Sequence, residues 1–215
     1  MRWLWLILSI LLLPPAIAEI IDRIAVTVDN QVITESEIMR EIRLTAFLNG
    51  EKLDFIPDAR RKAAGRLVEQ KLIRREIDLG RYVQPDPAEV EPVLKQVLAQ
   101  RFQTPQQYQD ALKEYGITEQ DLKAHLLWQT TLVRFIDVRF RPGIQVSDEE
   151  VRQYVAKEFP ARQKQAGAGD PTDLDGVRQK IEQAIIAQKI DQQMDQWLAE
   201  TKKRTRIEYR PEAFQ

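Results

Sequence analysis

The sequence predicts a mostly α-helical protein, a multi-helix core with a small β-sheet formed by an N-terminal hairpin and a C-terminal strand. Three observations carry this. Between Thr34 and Glu150, capping side chains recur with an acid or amide three residues later, each pair marking a helix start. Leu174, Val177, Ile181, Ile185, Ile190, Met194, Trp197 and Leu198 form the stripe of one long amphipathic helix. Alternation of strand type is confined to the two ends, at Ile24 to Ile33 and at Thr205 to Tyr209.

In chain order, Arg2 precedes the apolar run Trp3 to Leu13, which is followed by Pro14-Pro15 and the small-x-small site Ala16-Ile17-Ala18. A run of this length, rising about 1.5 Å per residue, falls short of a hydrocarbon core of about 30 Å. Residues 1–18 therefore read as a cleaved signal peptide and not as a stable membrane anchor, which predicts an exported protein. The absence of cysteine rules out disulfides, thiolate-bound metals and a lipid carried on a cysteine. Cleavage would remove one of 32 basic residues and none of 33 acidic ones, leaving a near-neutral chain without the basic excess of a nucleic-acid binder. With 43% apolar and 30% charged residues, the composition is that of a soluble, mostly helical protein.

Ile24, Val26 and Val28 alternate with Ala25 and Thr27, Asp29-Asn30 supplies a turn, and Val32-Ile33 resumes the apolar run, predicting a hairpin. Thr34 with Glu37 then starts a helix by mutual capping, as do Asp86 with Glu89, Thr104 with Gln107, Thr118 with Asp121, and Ser147 with Glu150. Gly80 and Gly116 stand where helices should stop. The resulting helices are expected near 34–48, 58–79, 87–100, 105–115, 118–139 and 147–158, with Pro92 delaying or kinking the third.

Residues 160–173 lose apolar periodicity and carry Gly167, Gly169 and Pro171, so they read as a flexible linker. The long helix follows, about 30 residues and roughly 45 Å, and must lie along several shorter ones. The strand at Thr205 to Tyr209 is unstable alone and needs the hairpin as its sheet, so the two ends of the chain are predicted to meet. The chain thus divides into an N-terminal helical domain over 19–159, the linker over 160–173, and a C-terminal helix and strand over 174–215 that complete the same core.

The segment from Ile21-Asp22-Arg23-Ile24 through Val32-Ile33-Thr34-Glu35-Ser36-Glu37 resembles the start of the SurA-like periplasmic chaperones, whose mature chains open on I-D-x-I-x-x-V-V-N-x-x-V-I-T-x-S-E. Thr27 stands at a usually apolar position, and Asp29-Asn30 shift the turn asparagine by one. Leu67 to Ile73, Thr104-Pro105 through Gly116-Ile117-Thr118, and the tail Trp197 to Arg210 are similar to later elements of that family. The resemblance implies a periplasmic location and a chaperone core. It also implies one or two parvulin-type prolyl isomerase domains between Phe159 and Thr172, where this chain has only the linker. A parvulin site uses a pair of histidines with a cysteine or acid; this chain has one histidine and no cysteine, so isomerase activity is not expected.

Direct inspection finds no phosphate loop, nucleophile elbow or dinucleotide fingerprint, and no cofactor is expected. His125, between Leu122 and Leu126, reads as a packed or surface histidine, and Gln129 is a poor metal partner for it. What remains is surface. The helix from Thr118 to Phe140 carries Leu122, Leu126, Leu127, Trp128, Leu132, Val133, Phe135, Ile136, Val138 and Phe140, more than one stripe of about 100° holds. Either a second internal helix covers the surplus, or Trp128, Phe135 and Leu132, with Phe102 and Tyr108, line an apolar crevice for unfolded polypeptide.

The expected function is that of an ATP-independent holdase whose partners are unfolded secreted proteins or outer-membrane β-barrel precursors. The client class is implied by the resemblance. An envelope structural or adaptor protein that seats one fixed partner in the same crevice is the alternative. A hinge at residues 160–173 would also permit a homodimer by exchange of the C-terminal helix.

Overall fold

The computed structural model describes residues 22–163 and 174–215. The leader read at residues 1–18 and the linker from residue 164 onward lie outside the described residues. Ile24–Val28 (β1) and Gln31–Thr34 (β2) form the antiparallel hairpin, and the C-terminal strand Ile207–Tyr209 (β3) pairs antiparallel with β1, giving the order β2-β1-β3. Val26 stands opposite both Ile33 and Tyr209. The two ends of the chain therefore meet in one sheet.

Asp29 in the hairpin turn takes φ 51°, a left-handed conformation that aspartate tolerates when its short side chain bonds locally. Here one carboxylate oxygen accepts from the Arg206 amide at 2.9 Å and the other meets Arg75 Nη1 at 2.5 Å. The Arg206 amide first, and Arg75 second, hold this carboxyl below its ordinary range. Arg75 also donates to Thr205 Oγ1 at 3.0 Å, so one arginine ties the turn to the start of β3.

Seven α-helices occur among the described residues: Glu35–Asn49 (α1), Pro57–Gly80 (α2), Val90–Arg101 (α3), Pro105–Tyr115 (α4), Glu119–Arg139 (α5), Asp148–Gln163 (α6) and Leu174–Arg204 (α7). The capping pairs set their starts. Thr34 with Glu37 and Thr118 with Asp121 each make both bonds of a capping box, and Ser147 Oγ accepts from the Glu150 amide at 3.3 Å. Gly50 and Gly116 end α1 and α4 in the left-handed conformation that glycine adopts without strain.

The structure corrects the sequence expectation at four places. The third helix does not begin at residue 87: Pro87–Glu89 is a 3-10 turn capped by Asp86, and α3 starts at Val90. Pro92 then falls in the first helical turn, where a missing amide proton costs no intrahelical bond. Gly80 is helical, and the left-handed stop falls on Arg81. The helix expected over 147–158 runs on to Gln163, into what read as linker. Finally, the tail alternation does not announce the 3-10 turn Pro211–Phe214, which returns Ala213 and Phe214 to the core.

Three apolar clusters stand out among the described residues. The first packs β1 and β2 onto α1 and α2 through Val26, Val28, Ile33, Ile38, Leu72 and Phe214, with Ala63 and Ala64 admitting the sheet close to α2. In the second, Phe47 of α1 gathers Leu94 of α3, Tyr108 and Leu112 of α4, and Leu122 and Leu126 of α5. The third joins Ile73 and Ile77 of α2, Trp128 and Phe135 of α5, Phe140, and Leu198 of α7. α7 thus seals the face of α2 and α5 that α1 leaves open.

α6 packs along α7. Lys189 of α7 meets Glu150 at 2.6 Å and the Gln145 carbonyl oxygen at 2.6 Å, and Arg178 pairs with Asp148. Exposed pairs of this kind set register more than they stabilise. Lys189 and the Ser147 amide lower the Glu150 carboxyl from 4.5 to about 2. Because the folded value lies below the ordinary one, the contribution of Glu150 to this docking is complete above pH 4.5 and is lost as pH falls through about 2. A carbon-13 titration of that carboxyl is expected to give a midpoint near 2, and a midpoint near 4.5 would show that Lys189 and Ser147 do not hold it.

Candidate functional site

Helix α5 crosses the middle of the molecule, and its surplus of apolar residues is resolved by what lies opposite each. Phe135, 1% exposed, sits under Tyr82, Phe140 and Trp197, with ring centres at 5.2, 5.8 and 5.8 Å. Trp128 is buried, with the Arg74 guanidinium 4.3 Å above its ring. Leu132 is half-buried in the same cluster, beside Met194 and Trp197 of α7. Much of the surplus is therefore covered by a second helix, α7. Val133 and Val138 remain exposed.

The five side chains singled out in the sequence divide between two clusters and do not line one crevice. Phe102 and Tyr108 belong to the α1–α3–α4 cluster, with the Phe102 ring 6.0 Å from Phe47 and 5.6 Å from Tyr108. Tyr108 is buried, and burial first, then the Glu119 carboxylate, raises its phenol to about 12. Trp128, Leu132 and Phe135 lie in the α2–α5–α7 cluster. Helical periodicity could not separate these groups, because Phe102 and Tyr108 stand at the end of α3 and on α4 while the other three are on α5, and membership depends on partners far away in the chain.

Grooves flank α5 on more than one side. One, of about 560 Å³, opens between the C-terminal turns of α2 and α5 and the loop after α2. Ile77, Thr131 and Phe135 form its floor, Tyr82, Val83 and Val138 its walls, and Arg81, Arg134 and Asp137 its rim. Its volume falls within the range of about 300–1,000 Å³ common for ligand sites. Two of the most exposed large apolar side chains among the described residues line it, Val83 at 84% and Val138 at 63%. Apolar groups left exposed beside an apolar groove mark a surface suited to covering by another molecule.

Another groove, of about 370 Å³, lies between α1, α2, α5 and α7. Trp128, Leu132, Ile73 and Met194 give it an apolar wall, faced by Glu41, Arg66, Gln70 and His125. Arg66 Nε donates to Glu41 at 2.9 Å. Burial lowers the His125 imidazole below its ordinary 6.5, against the pull of Glu41, so this histidine is neutral at pH 7.

Sequence reasoning missed Arg81, Tyr82 and Val83. A signal was present: two apolar residues, Tyr82 and Val83, directly follow a helix stop and belong to no helical or strand period. Gly80 has a packing reason as well, since a Cβ there would lie 2.3 Å from the Tyr82 ring, which folds back over it toward Phe135. None of the described helices is long and apolar enough to cross a membrane. No protein-family model and no curated protein matches this chain.

Proposed function

We propose that this protein is an ATP-independent periplasmic chaperone of SurA-like type, lacking isomerase domains, that holds unfolded secreted or outer-membrane precursors in the groove between α2 and α5. The observation that carries the reading is the pair Val83 and Val138, each more than 60% exposed, lining a groove floored by Phe135 and rimmed by charge. An apolar floor with a polar, open margin binds extended apolar segments weakly and broadly, and release then needs no nucleotide. The opening motif from Ile21 to Glu37 supports the same reading through its resemblance to that family.

The test is dilution of a denatured outer-membrane barrel protein into buffer containing this protein, with light scattering as readout. The expected result is suppression of aggregation that falls severalfold in Val83→Asp and Val138→Asp. Both side chains are largely in solvent, so the unfolding midpoint should shift by less than about 0.5 kcal/mol equivalent. Absence of suppression at severalfold excess would sink the holdase reading and favour an adaptor with one fixed partner.

A further inference from the structure

The end of α2 is built in an unusual order. A helix that stops on a left-handed residue ordinarily has glycine or asparagine there, because other side chains are strained in that conformation. Here Gly80 is helical and Arg81 takes φ 52° and ψ 39°. Among the described residues two non-glycine positions have positive φ, Asp29 and Arg81. Asp29 is explained by its bonds to Arg206 and Arg75. The Arg81 side chain, by contrast, is exposed and makes no hydrogen bond or ion pair among the described residues, while its backbone amide closes the helix on the carbonyls of Ile77 and Asp78.

Such strain, held by a side chain with no partner inside the protein, points outward. Arg81 lines the groove between α2 and α5. The other two charges of that lining are already matched, Arg134 by Glu89 and Asp137 by Arg141 at 2.7 Å. The groove therefore offers an apolar floor and, among its described lining, one uncompensated positive charge, carried on a backbone position that the helix stop fixes.

We propose that Arg81 sets the specificity of this groove, which takes apolar polypeptide segments carrying a carboxylate in preference to neutral or basic segments of equal length and hydropathy. The guanidinium supplies donors in a planar fork that a carboxylate accepts in pairs, and charge complementarity of this kind selects partners more than it adds affinity. This inference rests on the reading of the groove as a client site.

The test uses the whole protein and three labelled peptides of one apolar sequence, differing at a single position that is Glu, Gln or Lys, with binding read by fluorescence anisotropy. At about 50 mM salt the Glu peptide should bind about three- to fivefold more tightly than the Gln peptide, and the Lys peptide most weakly. Arg81→Asn keeps a residue suited to the left-handed stop and should abolish the ratio without lowering the unfolding midpoint; Arg81→Lys should restore part of it. Equal affinities for the three peptides, or a ratio unchanged in Arg81→Asn, would overturn the proposal. Val83→Ser and Val138→Ser separate the two levels. If they weaken all three peptides while Glu and Gln stay equal, the groove reading stands and the role of Arg81 falls; if no peptide binds the protein at all, both fall.

Discussion

Phe135→Ala is expected to destabilise the protein by about 3–5 kcal/mol, read as a lower urea midpoint at unchanged slope. Phe135 is 1% exposed, and three other aromatic rings lie within 5.8 Å of its centre. Two of these neighbours, Tyr82 and Trp197, come from the loop after α2 and from α7, so truncation opens a cavity where three separate stretches of chain converge. Such a cavity collapses poorly, because each wall is fixed by its own helix. Phe135→Leu keeps most of the volume and should cost much less. A loss below about 1 kcal/mol for the alanine variant would mean that α7 does not pack on α5 as described. The result also bounds the function: impaired client binding in Phe135→Ala is not informative alone, whereas impairment in the exposed Val83 and Val138 variants is.

Phe214→Ala carries the second large effect, about 3–4 kcal/mol. Phe214 is 3% exposed, packed in the cluster of Val26, Ile33 and Leu72, with its ring 6.0 Å from Tyr209. Its loss exposes the underside of the sheet and weakens the pairing of β3 with β1 at the same time. Glu212→Ala, exposed in the same turn, serves as the control and should change stability by less than about 0.5 kcal/mol. Equal, small effects of both substitutions would show that the C-terminal turn is a loose tail and that the hairpin stands without it.

The helix starts were legible because capping is local. Thr34, Thr118 and Ser147 find their partners three residues away, and no distant contact is needed for those bonds to form. Meeting of the chain ends was legible by a different route, since a strand at Ile207–Tyr209 has unsatisfied backbone groups and the hairpin was the sheet available to take them. Pro92 shows the limit of such reading. Its effect depends on which turn of α3 it occupies, and that was set by the 3-10 turn that Asp86 caps just before it.

The candidate site was less legible. Trp128 and Phe135 were marked as surplus apolar residues of α5, but their burial is decided by Arg74 on α2 and by Trp197 on α7, many residues distant in sequence. Phe102 and Tyr108 were drawn into the same crevice by composition, and the packing of α3 and α4 around Phe47 takes them elsewhere. Val138, marked only as one of the surplus apolar residues of α5, and Val83, not singled out in the sequence, define the open groove because the ends of α2 and α5 come together with nothing above them among the described residues. Helix starts, strand alternation and the helical class were determined by the sequence alone, since those preferences act within a few residues. Which apolar groups are core and which are left in water was decided only in the tertiary structure, because burial is a property of the surface opposite a side chain, and that surface belongs to another part of the chain.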